Sequence, residues 1–171
     1  MGGTPAGVRI ERWAEDDLDL LRQLNIHEVR EHTGGPETEE QVVARHARYL
    51  AGPGPGSGNM FTIVLPERVK VGSVGYWERV WHDEPVYEMG WAILPAYQGR
   101  GLATATVREA LALARAERTH HRHAHAYPSV GNPPSNAVCR KTGFELLGET
   151  DFEYPPGRWM RCNDWRIALT G

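Results

Sequence analysis

Apolar and polar positions alternate along Val8–Trp13 (VRIERW), the period of a half-buried strand. The period then changes. In EDDLDLLRQLN, residues Leu18, Leu21 and Leu24 fall on one helical face, with acids in the first turn. Thr38 and Gln41 stand at capping-box spacing and predict a second helix from about Glu39. It ends at GPGPGSGN (Gly52–Asn59), a flexible loop on composition. Three strand-like runs follow: MFTIVLP, VKVGSVGYWERVW and VYEMGWAIL. Pro66 and the turn HDEP separate them, and they read as an antiparallel meander closed by Pro95.

A helix is predicted from about Gly101 to Arg118. Its apolar stripe (Ala103, Val107, Ala110, Leu111, Ala114) is narrow and mostly small, suited to close packing on a sheet. HRHAHAY reads as a strand. NPPSNAVCRKTG reads as a short helix with Asn132 as N-cap, Pro133 at its first position and Gly143 as C-cap. FELLGETDFEY and WMRCNDWRIAL close the chain as two strands joined by PPG. The order βααβββαβαββ predicts an α+β fold, one domain over residues 1–171 around a central mixed, mostly antiparallel sheet flanked by helices.

Composition narrows the function classes. The 171 residues are 40% hydrophobic and 24% charged, with net charge −3. No basic excess points to nucleic acid, and no apolar run approaches the roughly 18 residues of a membrane span. MGGTPAGVRI lacks a signal-peptide pattern, and Ala6 breaks the myristoylation pattern that Gly2 begins. Cys139 and Cys162 are too few and too far apart for a disulfide framework or a CxxC metal site. The expectation is a reduced, soluble, cytoplasmic protein, monomer or homodimer, with no metal.

The most specific chemistry lies in AYQGRGLAT (Ala96–Thr104). Gly99 and Gly101 permit positive φ and leave their amides unshielded just where a helix begins. Such amides form an anion nest, to which the helix dipole adds about half a positive charge. Arg100 adds a mobile cation, and a pyrophosphate suits the whole. Neither GxxxxGK[ST] nor GxGxxG is present.

Gln98-Gly99-Arg100-Gly101-Leu102-Ala103 resembles the Gln/Arg-x-x-Gly-x-Gly/Ala signature of the GNAT N-acetyltransferases. Asn132, Ser135, Lys141, Gly143 and Phe144 resemble that family's later Asn-x-x-Ser/Ala…Lys-x-Gly-Phe segment, at the usual separation. The resemblance implies acetyl-CoA as cosubstrate, its pyrophosphate on amides from Gly99 to Thr104. It implies that the fourth strand, around Trp91, Ala92 and Ile93, splays from the fifth at a β-bulge. Pantetheine would then pair with the exposed strand edge. An amide near Ile93 would face the thioester carbonyl and stabilise the oxyanion. Asn132 would hold the pantetheine arm as well as cap its helix.

Amine acylation needs a neutral amine, a held thioester and a protonated leaving thiolate. Many family members carry Tyr four residues before the Gly-Phe pair, where this chain has Cys139. Ser135 instead resembles the branch that acetylates ribosomal-protein N-termini. There it would orient the leaving sulfur or relay to water; helix capping is its other reading. Two carboxylates are candidate bases beside an ordered-water relay. Glu88 shares a strand face with Gly90 and Ala92. Glu153 sits on the strand where the ribosomal branch carries an acid, in a shifted register.

Other features have plainer readings. His121, His123 and His125 share one strand face, a pattern that can bind metal, with His120 beside them but no acid nearby in sequence. Cys139 reads as a small buried residue rather than a nucleophile. Trp77 and Trp81 are candidates for an acceptor pocket, as is Arg30–Glu40, whose acids Glu31, Glu37, Glu39 and Glu40 suit a cationic substrate. The expected activity is direct transfer of acetyl from acetyl-CoA to a small-molecule or peptide amine. The rivals are another acyl-CoA donor or a non-catalytic acyl-CoA-binding or sensing domain.

Overall fold

The computed structural model describes residues 7–52, 59–117 and 121–170. Outside them lie the first six residues, most of the GPGPGSGN loop, the expected helix end at Arg118, and His120. The strands are β1 (Arg9–Arg12), β2 (Asn59–Val64), β3 (Lys70–Trp81), β4 (Glu84–Ile93), β5 (His123–Ala126), β6 (Glu145–Glu153) and β7 (Trp159–Ala168). The helices are α1 (Leu18–Leu24), α2 (His27–Arg30), α3 (Glu39–Leu50), α4 (Leu102–Ala116) and α5 (Pro133–Thr142). All seven strands form one sheet in the order β1-β2-β3-β4-β5-β7-β6. Its pairs are antiparallel except β4–β5. The short α2 is the one α-helix that the periodicity did not predict.

The helices lie on opposite faces. α4 and α5 cover one side, where Val107, Ala110, Leu111 and Ala114 meet Val74, Tyr76 and Met89 in the larger core. The small stripe of α4 is what lets this helix sit close to the strands. Thr106 also faces inward, its hydroxyl donating to the Leu102 carbonyl at 2.8 Å. α1 and α3 cover the other side through Leu20, Leu21, Leu24 and Val42. Leu18, expected on that face, is only partly buried, and Leu20 takes its place. Asp17, buried before α1, accepts from the Ala14 amide and the Thr62 hydroxyl, both at 2.8 Å, and pairs with Lys70 at 2.6 Å. These bonds pin the start of α1 to β2 and β3.

Local signals act where the sequence placed them. The Thr38–Gln41 capping box starts α3, with Thr38 Oγ1 accepting from the Gln41 amide at 3.2 Å. Gly101 enters α4 in the left-handed region at φ 76°. Asn132 caps α5, and Gly143 ends it at φ 97°.

The sheet diverges between β4 and β5. Their pairing covers only Tyr87↔Ala124 and Glu88↔His125. Beyond Glu88, β4 runs on to Ile93 without that neighbour. The divergence was expected at a β-bulge, yet the β3–β4 register is unbroken from Gly72↔Ile93 to Trp81↔Glu84. The splay therefore arises where β5 leaves, not from an extra residue in β4.

Candidate active site

A cleft of about 1000 Å³ opens where β4 and β5 part. Its lining takes in the α4 N-terminus, the start of α5 and the α2–α3 segment. Strand alternation decides which groups of β4 face it. The Leu94 amide donates to the Val71 carbonyl at 2.8 Å, so even-numbered β4 residues bond toward β3. Trp91 and Ile93 therefore aim their amides at the open edge. Ala92 does not; its backbone belongs to the β3 ladder, and it reaches the cleft by its side chain. The Ile93 carbonyl, also on the open edge, accepts from the Gln98 side chain at 3.0 Å. That bond ties the glycine loop to the end of the strand.

At the loop itself, Gly99 and Gly101 hold φ of 78° and 76°. The first helical donor of α4 is Ala105, bonding the Gly101 carbonyl at 3.1 Å. The amides of Leu102, Ala103 and Thr104 precede it and have no partner inside the helix. A Cβ built on Gly99 meets nothing within 4 Å, so the loop is open at that position. Gly99, Gly101, Leu102, Ala103 and Thr104 all line the cleft. This bare-amide cradle fits a pyrophosphate, and the neighbouring strand edge fits an extended amide-bearing arm. Arg100 stands apart: its guanidinium lies over the Tyr97 ring and donates to the Ala96 carbonyl at 3.3 Å. It is turned back onto its own loop rather than into the cleft.

Glu88 sits at the apex of the divergence, as the last β4 residue paired with β5. Arg79 Nη1 donates to it at 2.7 Å, and the Trp77 indole is a further donor. Trp77 lies across β4 where Gly90 leaves room; a Cβ there would meet its ring at 2.7 Å. Burial pushes the Glu88 carboxyl above the usual carboxylate range, against the pull of Arg79 and Trp77. A carboxylate so placed can take a proton from a group in the cleft.

Glu153 is not brought there. The neighbouring Phe152 and Tyr154 line the cleft, so alternation along β6 turns Glu153 to the other face. It is exposed and accepts from the Gly157 amide at 3.3 Å. Ser135 does line the cleft, in the first turn of α5. Asn132 lines it too, its Oδ1 accepting from the Ser135 amide at 3.4 Å. Cys139 is fully buried in the larger core, where burial pushes its thiol up to about 12.

Of the two tryptophans, Trp77 lines the cleft, whereas Trp81 gives its indole N–H to Asp164 at 3.1 Å. Of the four acids of Arg30–Glu40, Glu37 pairs with Arg45 and Glu39 with Arg22 at 2.7 Å, whereas Glu31 lines the cleft. The histidines of the β5 segment find acids on other strands. His121 lies 3.4 Å from Glu78, His123 2.8 Å from Glu84, and His125 2.6 Å from Asp164. Among the described residues no group of three or more such side chains could hold a metal ion.

Sequence reasoning missed Asn136. Its Oδ1 accepts from Trp165 Nε1 at 2.8 Å and from Asn163 Nδ2 at 2.9 Å. Its Nδ2 donates to the carbonyls of Ser129 and Asn132 at 3.0 and 2.9 Å. The first two bonds draw the start of α5 onto β7, and the other two hold the segment that leads into α5, which sets Asn132 and Ser135 in the cleft wall. Only its place directly after Ser135 marked it in the sequence.

A family model described as an acetyltransferase (GNAT) domain matches residues 8–145. The chain belongs to the GNAT acetyltransferase family. It is an acetyl-CoA-dependent N-acyltransferase. No curated protein matches the chain. Among solved structures, a GNAT-family acetyltransferase from Bacillus anthracis is similar at 20% identity and TM-score 0.77, over 99% of both chains. Spermidine N-acetyltransferase from Vibrio cholerae, in complex with CoA and spermine, is similar at 15% identity and TM-score 0.77, over 96% of both. Aminoglycoside acetyltransferase AAC(6')-Ib, in complex with coenzyme A, is similar at 21% identity and TM-score 0.74, over 95% of both. At these identities the likeness is one of fold.

Proposed function

We propose that this GNAT acetyltransferase moves an acetyl group from acetyl-CoA to a primary amine by direct attack, both substrates held in the one cleft. The observation that carries the reading is a juxtaposition. The amides at Gly99, Gly101 and Leu102–Thr104, the free edge of β4 and the half-buried Glu88 carboxylate all line a single cleft. Gly99, Gly101, Leu102, Ala103 and Thr104 would hold the pyrophosphate. Trp91 and Ile93 would offer their edge amides to the pantetheine arm and thioester, with Asn132 on the α5 side. When bound, acetyl-CoA supplies the activated acyl group.

Glu88 takes the proton that an alkyl ammonium must lose before it can attack. Ser135 offers a hydroxyl from the α5 part of the lining. Cys139, buried and with its thiol raised, has no access to an acyl group, which favours direct attack over an acetyl-enzyme. The acceptor is the amine of a small molecule or of a peptide N-terminus. Ser135 in the cleft supports the ribosomal-protein N-terminal branch, and the outward Glu153 weighs against it.

Thiol release from acetyl-CoA tests the reading, with spermidine, kanamycin and peptides with free N-termini as acceptors. At least one amine is expected to release thiol well above hydrolysis. CoA binding with no acceleration by any amine would sink the proposal.

A further inference from the structure

Beside Glu88 stands His125. The two are register partners across the parallel β4–β5 pair, so their side chains leave the same face about one strand spacing, roughly 4.8 Å, apart. His125 is 3% exposed, and its Nδ1 lies 2.6 Å from Asp164 Oδ1. The other oxygen of Asp164 accepts the Trp81 indole N–H at 3.1 Å. Both oxygens of that carboxylate are thus engaged, and the imidazole is anchored beside the apex of the cleft.

The charges around the pair do not balance without a further proton. Glu84 is satisfied by His123 at 2.8 Å, and Arg166, opposite His125 on β7, lies 3.9 Å from Glu145. Burial pushes the Cys162 thiol up to about 11 and raises the Tyr127 phenol, so both are uncharged near neutrality. Two carboxylates, Glu88 and Asp164, then share one guanidinium, Arg79, which is committed to Glu88 at 2.7 Å. His125 is the remaining side chain beside the pair that can carry a positive charge, and a charge there would offset the second carboxylate.

We infer that His125, anchored by Asp164, is a positioning residue for the acyl transfer: its protonated ring holds Glu88 as the carboxylate that accepts a proton from the acceptor ammonium. The inference rests on the reading of Glu88 as proton acceptor. The proton moves from the amine nitrogen to Glu88, while His125 keeps its own.

The test has two arms. In the first, NMR follows the His125 ring through a pH titration in the parent and in Glu88→Gln, with no ligand present. Coupling is reciprocal, so loss of the Glu88 charge is expected to lower the His125 midpoint by about one pH unit, tenfold in protonated fraction. An unmoved midpoint overturns the inference. In the second, thiol release is profiled against pH for His125→Gln with the best of the amines named above. The acid limb of kcat/KM is expected to move up by about one unit with its plateau retained, and His125→Lys to bring it back. Equal loss at every pH, with the limb in place, means a purely structural role and overturns it. Should the parent release no thiol with any amine, the acetyltransfer reading fails, and the titration still reports on the His125–Glu88 coupling.

Discussion

Replacing Gly99 by alanine separates the ligand-binding role of the loop from its backbone strain. Gly99 holds φ at 78°, and a Cβ there meets no atom of the protein within 4 Å. Alanine therefore costs only the left-handed backbone, about 1–2 kcal/mol. Stiffening of the unfolded chain is part of the same balance and is worth about 0.4–1 kcal/mol. The net loss is about 1 kcal/mol, a fall in Tm of roughly 2–4 °C for a chain of this size. Gly157 is a matched control: φ is 88°, nothing lies within 4 Å, and it is outside the cleft. Gly157→Ala is expected to show a similar fall in Tm. The two variants part on CoA. A methyl at Gly99, in the loop that carries the bare amides, should weaken CoA at least about tenfold, some 1.4 kcal/mol. Gly157→Ala should bind it as the parent does. Calorimetric titration with CoA, beside scanning calorimetry of each protein, reads both quantities. Equal melting shifts with parent-like CoA affinity in Gly99→Ala would refute the placement of the pyrophosphate.

Glu88→Gln is expected to lower kcat/KM by about 10²-fold or more at neutral pH with CoA affinity unchanged; a loss under threefold would exclude Glu88 as the base. The folded Glu88 carboxyl lies above its ordinary 4.5, so its contribution to stability is full below that pH and is lost as pH rises through the raised value. The melting temperature of Glu88→Gln should accordingly gain on that of the parent between pH 4.5 and neutrality, and a constant gap would contradict the shift. Both cysteines are buried, with thiols at about 12 and about 11, so Ellman's reagent should label neither until the chain unfolds. Rapid labelling of one thiol in the native protein would reopen Cys139 as a nucleophile. Asn136→Ala leaves the Trp165 and Asn163 donors without their acceptor and should cost about 2–4 kcal/mol in urea unfolding. Less than about 1 kcal/mol would mean that water replaces the lost bonds.

Much of the architecture was legible because local signals and packing agree here. The Thr38–Gln41 box, Asn132 with Pro133, and the two glycines before α4 each act on a few neighbouring residues. α2 escaped notice because four residues carry too little periodicity to stand out. The strand face that Glu88 shares with Gly90 and Ala92 was legible from alternation. Glu153 misled because a shift of one position in β6 exchanges faces, and sequence alone does not set that register. The ion pairs of the histidines were hidden in another way. Their partners Glu78, Glu84 and Asp164 lie about forty positions away, on strands whose pairing the periodicity cannot specify. Asn136 was hidden for the same reason: its indole and amide donors come from β7.

The free edge of β4 has a further consequence. An unpaired strand edge ordinarily invites a strand of another molecule. This one lies in a wedge whose walls meet at Glu88 and whose outer end is closed by the loop that Gln98 ties to Ile93. This edge is interior: β4 stands fourth in a sheet whose outer strands are β1 and β6, so a chain reaches its Trp91 and Ile93 amides only through the gap that opens where β5 leaves at Glu88. An outer rim is open along its whole length; this one is bounded by another strand of the same sheet.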